Sequence, residues 1–284
     1  MAIGFIMSYG YLATLVAAAS IGIIGENYAR SIRLWVGFQA YAIFVVIGLI
    51  GWWTDASDMA WSLAFALMLT GLHWAATGVF MVSQSGSISP RTQRTLPERL
   101  SSRMLFSWLI PGGGTGYFFV ILNYASLMLA FVLMPLEGHD SDDISLYLVV
   151  TFGYVAFFLG ILRLAMLAIP STATNRAGVG ALLGVLCLAL GSGIPIFLSM
   201  AANDFERWTY ETYSVFNVFA TYEDIYEARG APVSLLLVCA AVVLMVNALL
   251  VSRDIILVRV RSIEDRDGES TSVSAASPAV DPFA

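Results

Sequence analysis

Apolar residues fall in seven long runs along this chain, at about 3–24, 34–53, 60–82, 115–135, 145–169, 178–200 and 232–252, and polar residues cluster in the stretches between them. A helix of about 20 apolar residues crosses the roughly 30 Å hydrocarbon core of a bilayer. The pattern therefore predicts an all-α fold, a polytopic transmembrane helix bundle of about seven spans within residues 1–261. The tail over 262–284 is rich in Ser, Asp and Glu and is predicted to be disordered. The first run lacks a positive leader and is followed by Arg30 and Arg33, not by a small-residue cleavage site, so it reads as a retained helix and not as a signal peptide.

Charge adds an orientation. Arg30, Arg33, Arg91, Arg94, Arg99, Arg103, Arg176, Arg253, Arg259, Arg261 and Arg266 fall on one side of the predicted bundle, and only Arg207 and Arg229 on the other. Asp55, Asp58, Glu137, Asp140, Asp142, Asp143 and the acids from Asp204 to Glu227 lie opposite the arginine-rich side. Arginine-rich loops stay in the cytoplasm. The expectation is an external amino terminus, a cytoplasmic carboxyl terminus and a multi-pass protein of the cell's inner (plasma) membrane.

Composition narrows the chemistry. The chain is 58% hydrophobic and only 12% charged, against about 25% charged for a soluble domain. It contains no lysine, which excludes a retinal or pyridoxal-phosphate Schiff base and a phosphate loop ending in Gly-Lys-Ser/Thr. ATP-driven work would need another chain to hydrolyse the ATP. The net charge of −6 offers no basic surface for nucleic acid. Cys187 and Cys239 stand inside apolar runs as packing residues, and two histidines build no metal or haem site. Neither a cofactor nor a metal is expected. No acid pair, Ser/His dyad or His cluster stands at workable spacing within the spans, so the chain is not expected to be an enzyme. Seven spans with an external amino terminus is also the opsin and receptor topology, but the last run has no lysine and no receptor-like motif ends the third.

Several polar positions remain as candidates. The loop from Ser83 to Arg103 carries Arg91, Arg94, Arg99 and Arg103, which can hold anionic lipid headgroups at about 1 kcal/mol each. The alternative is a docking surface for a cytoplasmic partner. Pro111, Gly112, Gly113 and Gly114 break any helix and form a candidate hinge or re-entrant bend, preceded by a short interfacial helix over Met104 to Ile110. Two polar side chains fall within spans. Arg163 either snorkels or pairs inside the bundle, or touches a substrate or ion. His73 either bonds Gln39, Asn123 or Asn247 of another helix, or relays protons. In the sixth run, Gly180 and Gly184 permit close helix approach, and Gly191 to Pro195 predict a bend or a moving transport helix. From Ala201 to Ala231, Phe216, Phe219, Tyr222 and Tyr226 recur at helical spacing among acids, which predicts short helices lying flat in the outer interface with rings at headgroup level.

The stretch Thr212 to Gly230 followed directly by the last span resembles the end of ABC-2-type transporter permeases, whose membrane-dipping external segment often contains Ser-Pro-Phe or Asn-Pro-Phe. The nearest match here is Ser214-Val-Phe-Asn-Val-Phe219, without the proline. Ser89 to Pro97 and Pro111 to Tyr117 look like the middle of such proteins, so the resemblance covers about residues 60–260. The family's amphipathic amino-terminal helix and its coupling segment have no counterpart, which implies either the carboxyl half of a longer or split permease or a lost coupling function. The resemblance implies a homo- or heterodimer in membrane lipid, driven by a separate ATPase subunit and exporting a lipid, polymer, peptide or drug. The alternative expectation is a non-transporting membrane scaffold or assembly factor.

Overall fold

The structure, a computed structural model, describes residues 10–20, 26–54, 59–84, 112–134, 141–170, 175–203, 205 and 209–275. They form α1 (Gly10–Ser20), α2 (Glu26–Thr54), α3 (Met59–Val82), α4 (Gly113–Leu133), α5 (Ser141–Leu167), α6 (Arg176–Ala202), a 3₁₀ turn (Thr212–Phe216), α7 (Val218–Glu223) and α8 (Ala231–Ala275). Six of these helices contain segments long and apolar enough to cross a membrane: Arg30–Trp53, Trp61–Val82, Gly113–Leu133, Ile144–Leu167, Arg176–Ala202 and Ala231–Asp254. The chain is an all-α, multi-pass membrane bundle. Of the expected first span only Gly10–Ser20 is among the described residues, and it is helical.

Helix ends follow local chemistry. Gly112, at φ 152°, precedes α4, a backbone setting that side-chain-bearing residues avoid. The Asn175 side chain accepts the Gly178 N–H at 3.0 Å and starts α6. Pro135 and Pro170 follow α4 and α5 in sequence, where a helix cannot continue.

α3 and α5 form the centre. Lipid is as apolar as leucine, so spans associate through close packing and hydrogen bonds and not through hydrophobic burial alone. Glycines one heptad apart provide the approach. A Cβ on Gly71 would lie 2.6 Å from Thr151 of α5, and one on Gly78 would strike Leu159. Gly153 and Gly160 of α5 face Leu236 and Val243 of α8 in the same manner. Trp74 and Met81 of α3, Tyr117 and Tyr124 of α4, and Leu162 and Met166 of α5 are fully buried in the resulting core. The two tyrosines donate to helix carbonyls, Tyr117 to Ala156 at 2.9 Å and Tyr124 to Leu67 at 3.0 Å.

α8 continues to Ala275, so residues 262–275 of the tail expected to be disordered are helical, and 276–284 lie outside the described residues. No proline stands between Pro232 and Pro278, and extending an existing helix is far cheaper than nucleating one. α6 runs unbroken through Pro195 from Arg176 to Ala202, and Gly180 and Gly184 bring it onto Ser83 and Val79. Its other faces leave Leu182, Val185 and Phe197 exposed.

Candidate functional site

Three polar layers stand out: one at the arginine-rich end of the bundle, one at mid-depth and one at the acidic end. The first surrounds the start of α4. At Gly113, Gly114 and Gly116 other groups occupy the space a side chain would fill. A Cβ on Gly116 would lie 2.6 Å from the Met81 carbonyl oxygen, and one on Gly113 would strike that of Val82. A Cβ on Gly114 would strike Val251 and lie 2.7 Å from Arg163. At the candidate hinge the end of α3 and the start of α4 therefore meet backbone to backbone.

Arginines fasten this joint. Arg33 is fully buried and donates to Thr115 Oγ1 at 3.2 Å, Gln84 Oε1 at 2.9 Å and Gly112 O at 3.0 Å. The same Gln84 oxygen accepts the Gly112 N–H at 3.1 Å. Arg163 donates to Asn247 Oδ1 at 2.7 Å, with the half-exposed Asp254 at 4.0 Å. The short bond to Asn247 outweighs that ion pair, since exposed charge pairs contribute about 0–1 kcal/mol. Of the two expectations for Arg163, pairing inside the bundle is what the structure contains. Arg176 donates to the carbonyls of Met166, Ile169 and Pro170 at the end of α5 and of Ser83 after α3. A cation at helix carboxyl ends is favourable because the last carbonyls lack helical partners. Arg91, Arg94, Arg99, Arg103 and Pro111, with the helix expected over 104–110, lie outside the described residues.

The middle layer centres on His73. Its Nε2 lies 3.1 Å from the Val36 carbonyl oxygen, not from Gln39, Asn123 or Asn247, the partners expected from sequence. Gln39 instead donates to Thr14 of α1 at 2.7 Å, Asn123 to Phe119 of its own helix, and Asn247 to Gly160 and Val243. A backbone acceptor leaves no trace in side-chain sequence, which is why this contact escaped the reading.

At the acidic end, residues 209–230 fold back between helices. Tyr154 donates to Val215 O, Thr151 shares a hydrogen bond with Tyr222, and the Phe157 and Phe216 rings lie 5.2 Å apart. Phe157 sits just past the midpoint of the Ile144–Leu167 segment, and the Phe216 carbonyl faces Gly191, near the midpoint of α6. The turn thus reaches mid-bundle depth. Ser199 of α6 donates to Thr209 O at 2.7 Å and ties down the entry. Asn217 accepts the Ala220 N–H at 3.3 Å, starting α7. The flat interfacial arrangement expected from sequence is half right: Phe219 and Tyr226 are exposed, while Phe216 and Tyr222 turn inward. Irregular backbone at membrane depth persists only where protein buries it or a watery cavity meets it. The missed signal lay on α5, where Tyr147, Thr151 and Tyr154 recur on one face to receive it.

Among the described residues no group of three or more His, Cys, Asp or Glu side chains could hold a metal, and Cys187 and Cys239 are free thiols. No protein-family model, curated protein or solved structure matches the chain.

Proposed function

We propose that the chain is the membrane-spanning subunit of an ABC-type exporter in the cell's inner membrane, working with a separate ATPase subunit and a second membrane subunit. The observation that carries this reading is the folded-back segment 209–230, whose tip at Ser214, Val215 and Asn217 is buried at mid-bundle depth against α5, α6 and α8. Its tip is Ser214 to Phe219, the stretch that resembles the membrane-dipping segment of ABC-2 permeases. Transport folds use irregular segments of this kind because they rearrange at lower cost than a continuous helix. The bundle core is filled by Trp74, Tyr117 and Tyr124, so a substrate path would run between subunits and not through one copy. Arg91 to Arg103 are the proposed docking or headgroup-binding loop.

A scaffold role is favoured by a different observation, the helix of α8 that continues to Ala275 beyond the last span. Purification of the tagged protein in mild detergent from its native host separates the two. A stoichiometric nucleotide-binding chain, with ATP hydrolysis stimulated by lipid, is the expected result. Reproducible recovery of other membrane proteins with no ATPase overturns the exporter and leaves the scaffold.

A further inference from the structure

At mid-depth, Gln39 Oε1, His73 Nδ1 and Trp74 Nε1 are buried and make no hydrogen bond among the described residues. Buried polar atoms in native proteins are nearly always paired, with protein or with ordered water. Among the described residues most protein donors next to the two acceptors are already committed. The Thr14 hydroxyl donates to Gly10 O at 2.9 Å, and Thr77 donates to His73 O at 2.7 Å. The Trp35 and Gln39 N–H groups both go to Thr14 Oγ1. Asn123 spends its amide on Phe119 O. The His73 Nε2 faces a carbonyl, which only accepts, so the ring proton sits on Nε2 and Nδ1 presents a lone pair. Two acceptors remain, with two donors near them, the Trp74 indole N–H and the hydroxyl of Tyr11, whose ring lies against His73.

Both acceptors lie where α1, α2 and α3 meet. Val36, which holds His73, and Gln39 lie within one turn of α2. Tyr11 and Thr14 lie within one turn of α1, with the Tyr11 ring 5.7 Å from the His73 ring and Thr14 bonded to Gln39. Two acceptors at one such junction suit a single molecule with two O–H donors. We propose that Gln39 Oε1 and His73 Nδ1 together hold one buried water molecule at the centre of the membrane. The water donates to both, and the Trp74 N–H and the Tyr11 hydroxyl are the donors available to its oxygen. Buried waters typically make about three such bonds.

The chain has two histidines, His73 and His139, so labelling with ¹⁵N-histidine and replacing His139→Gln leaves one imidazole to observe. The test is solid-state NMR of this full-length chain in vesicles of phosphatidylcholine and phosphatidylglycerol. The expected spectrum has an unprotonated, hydrogen-bonded Nδ1 that receives magnetisation from water protons and loses it in D₂O. Gln39→Leu should shift the Nδ1 signal and weaken the water transfer, whereas Asn123→Leu should leave both unchanged. An Nδ1 with no water transfer overturns the proposal. So does a scalar coupling between Nδ1 and the Gln39 side-chain nitrogen, read with ¹⁵N-glutamine added to the labelling, which would mean direct pairing, or a donor proton that persists in D₂O, which would mean a bound lipid or other molecule. The parent spectrum decides the matter even where Gln39→Leu fails to fold.

Discussion

The arginine-rich end of the bundle brings backbone against backbone, while the acidic end folds an irregular segment back between its helices. At the first end, Gly113 and Gly116 leave no room for a methyl group, and Arg33 ties α2, α3 and α4 together through three acceptors. At the second, two tyrosines, a threonine and a serine hold the folded-back segment with single hydrogen bonds. Contacts of the first kind have no gentle intermediate, because a packed backbone either fits or does not. Contacts of the second kind can be released one at a time. A membrane protein that moves would place its rigid joint and its yielding segment at opposite ends, as here.

The largest effect should come from adding a side chain at the joint. Gly116→Val forces two methyls towards the Met81 carbonyl and should cost about 3 kcal/mol, read as a lower midpoint in SDS unfolding. A near-native midpoint would show that the joint has slack and would erase the contrast between the ends. Arg33→Leu comes next, at about 2–3 kcal/mol, because it strips charged donors from Gln84, Thr115 and the Gly112 carbonyl in one step. If that variant unfolds like the parent, the arginine is an ornament of the joint and not its fastening. Arg163→Gln should lose about 1 kcal/mol and fold in reduced yield, with any activity per folded molecule intact, since an amide can still reach Asn247. Normal yield with abolished activity would give Arg163 a chemical role. The smallest loss, about 0.6 kcal/mol, belongs to Tyr154→Phe. Its signature is local: backbone hydrogen exchange should speed up over 212–223 and stay unchanged over 113–120. Equal change at both ends would mean that they open as one unit.

Much of the bundle is legible in the sequence. Six helices fall within a few residues of the runs expected from apolar length, because that length is set by bilayer thickness and needs no tertiary knowledge. The close approach of Gly180 and Gly184 to α3 follows from small-residue spacing. Arg33 was less accessible. It counts as one more loop arginine until Gln84, Gly112 and Thr115, 51 to 82 residues away, arrive around it. His73 was hidden for another reason, since its acceptor is a backbone carbonyl. The inward half of the folded-back segment was invisible in that segment alone. Helical spacing of Phe216, Phe219, Tyr222 and Tyr226 fits a surface helix equally well, and only the polar face of α5 distinguishes the two.

The length of α8 has a mechanical side. Twenty-one residues separate Asp254, the end of its membrane segment, from Ala275, the end of the helix. At 1.5 Å per residue the helix continues about 30 Å past the end of that segment. A rod of that length works as a lever: tilting the last span by about 10° would carry its far end roughly 5 Å sideways. A partner gripping that end would feel small rearrangements inside the membrane magnified, and could return force along the same path.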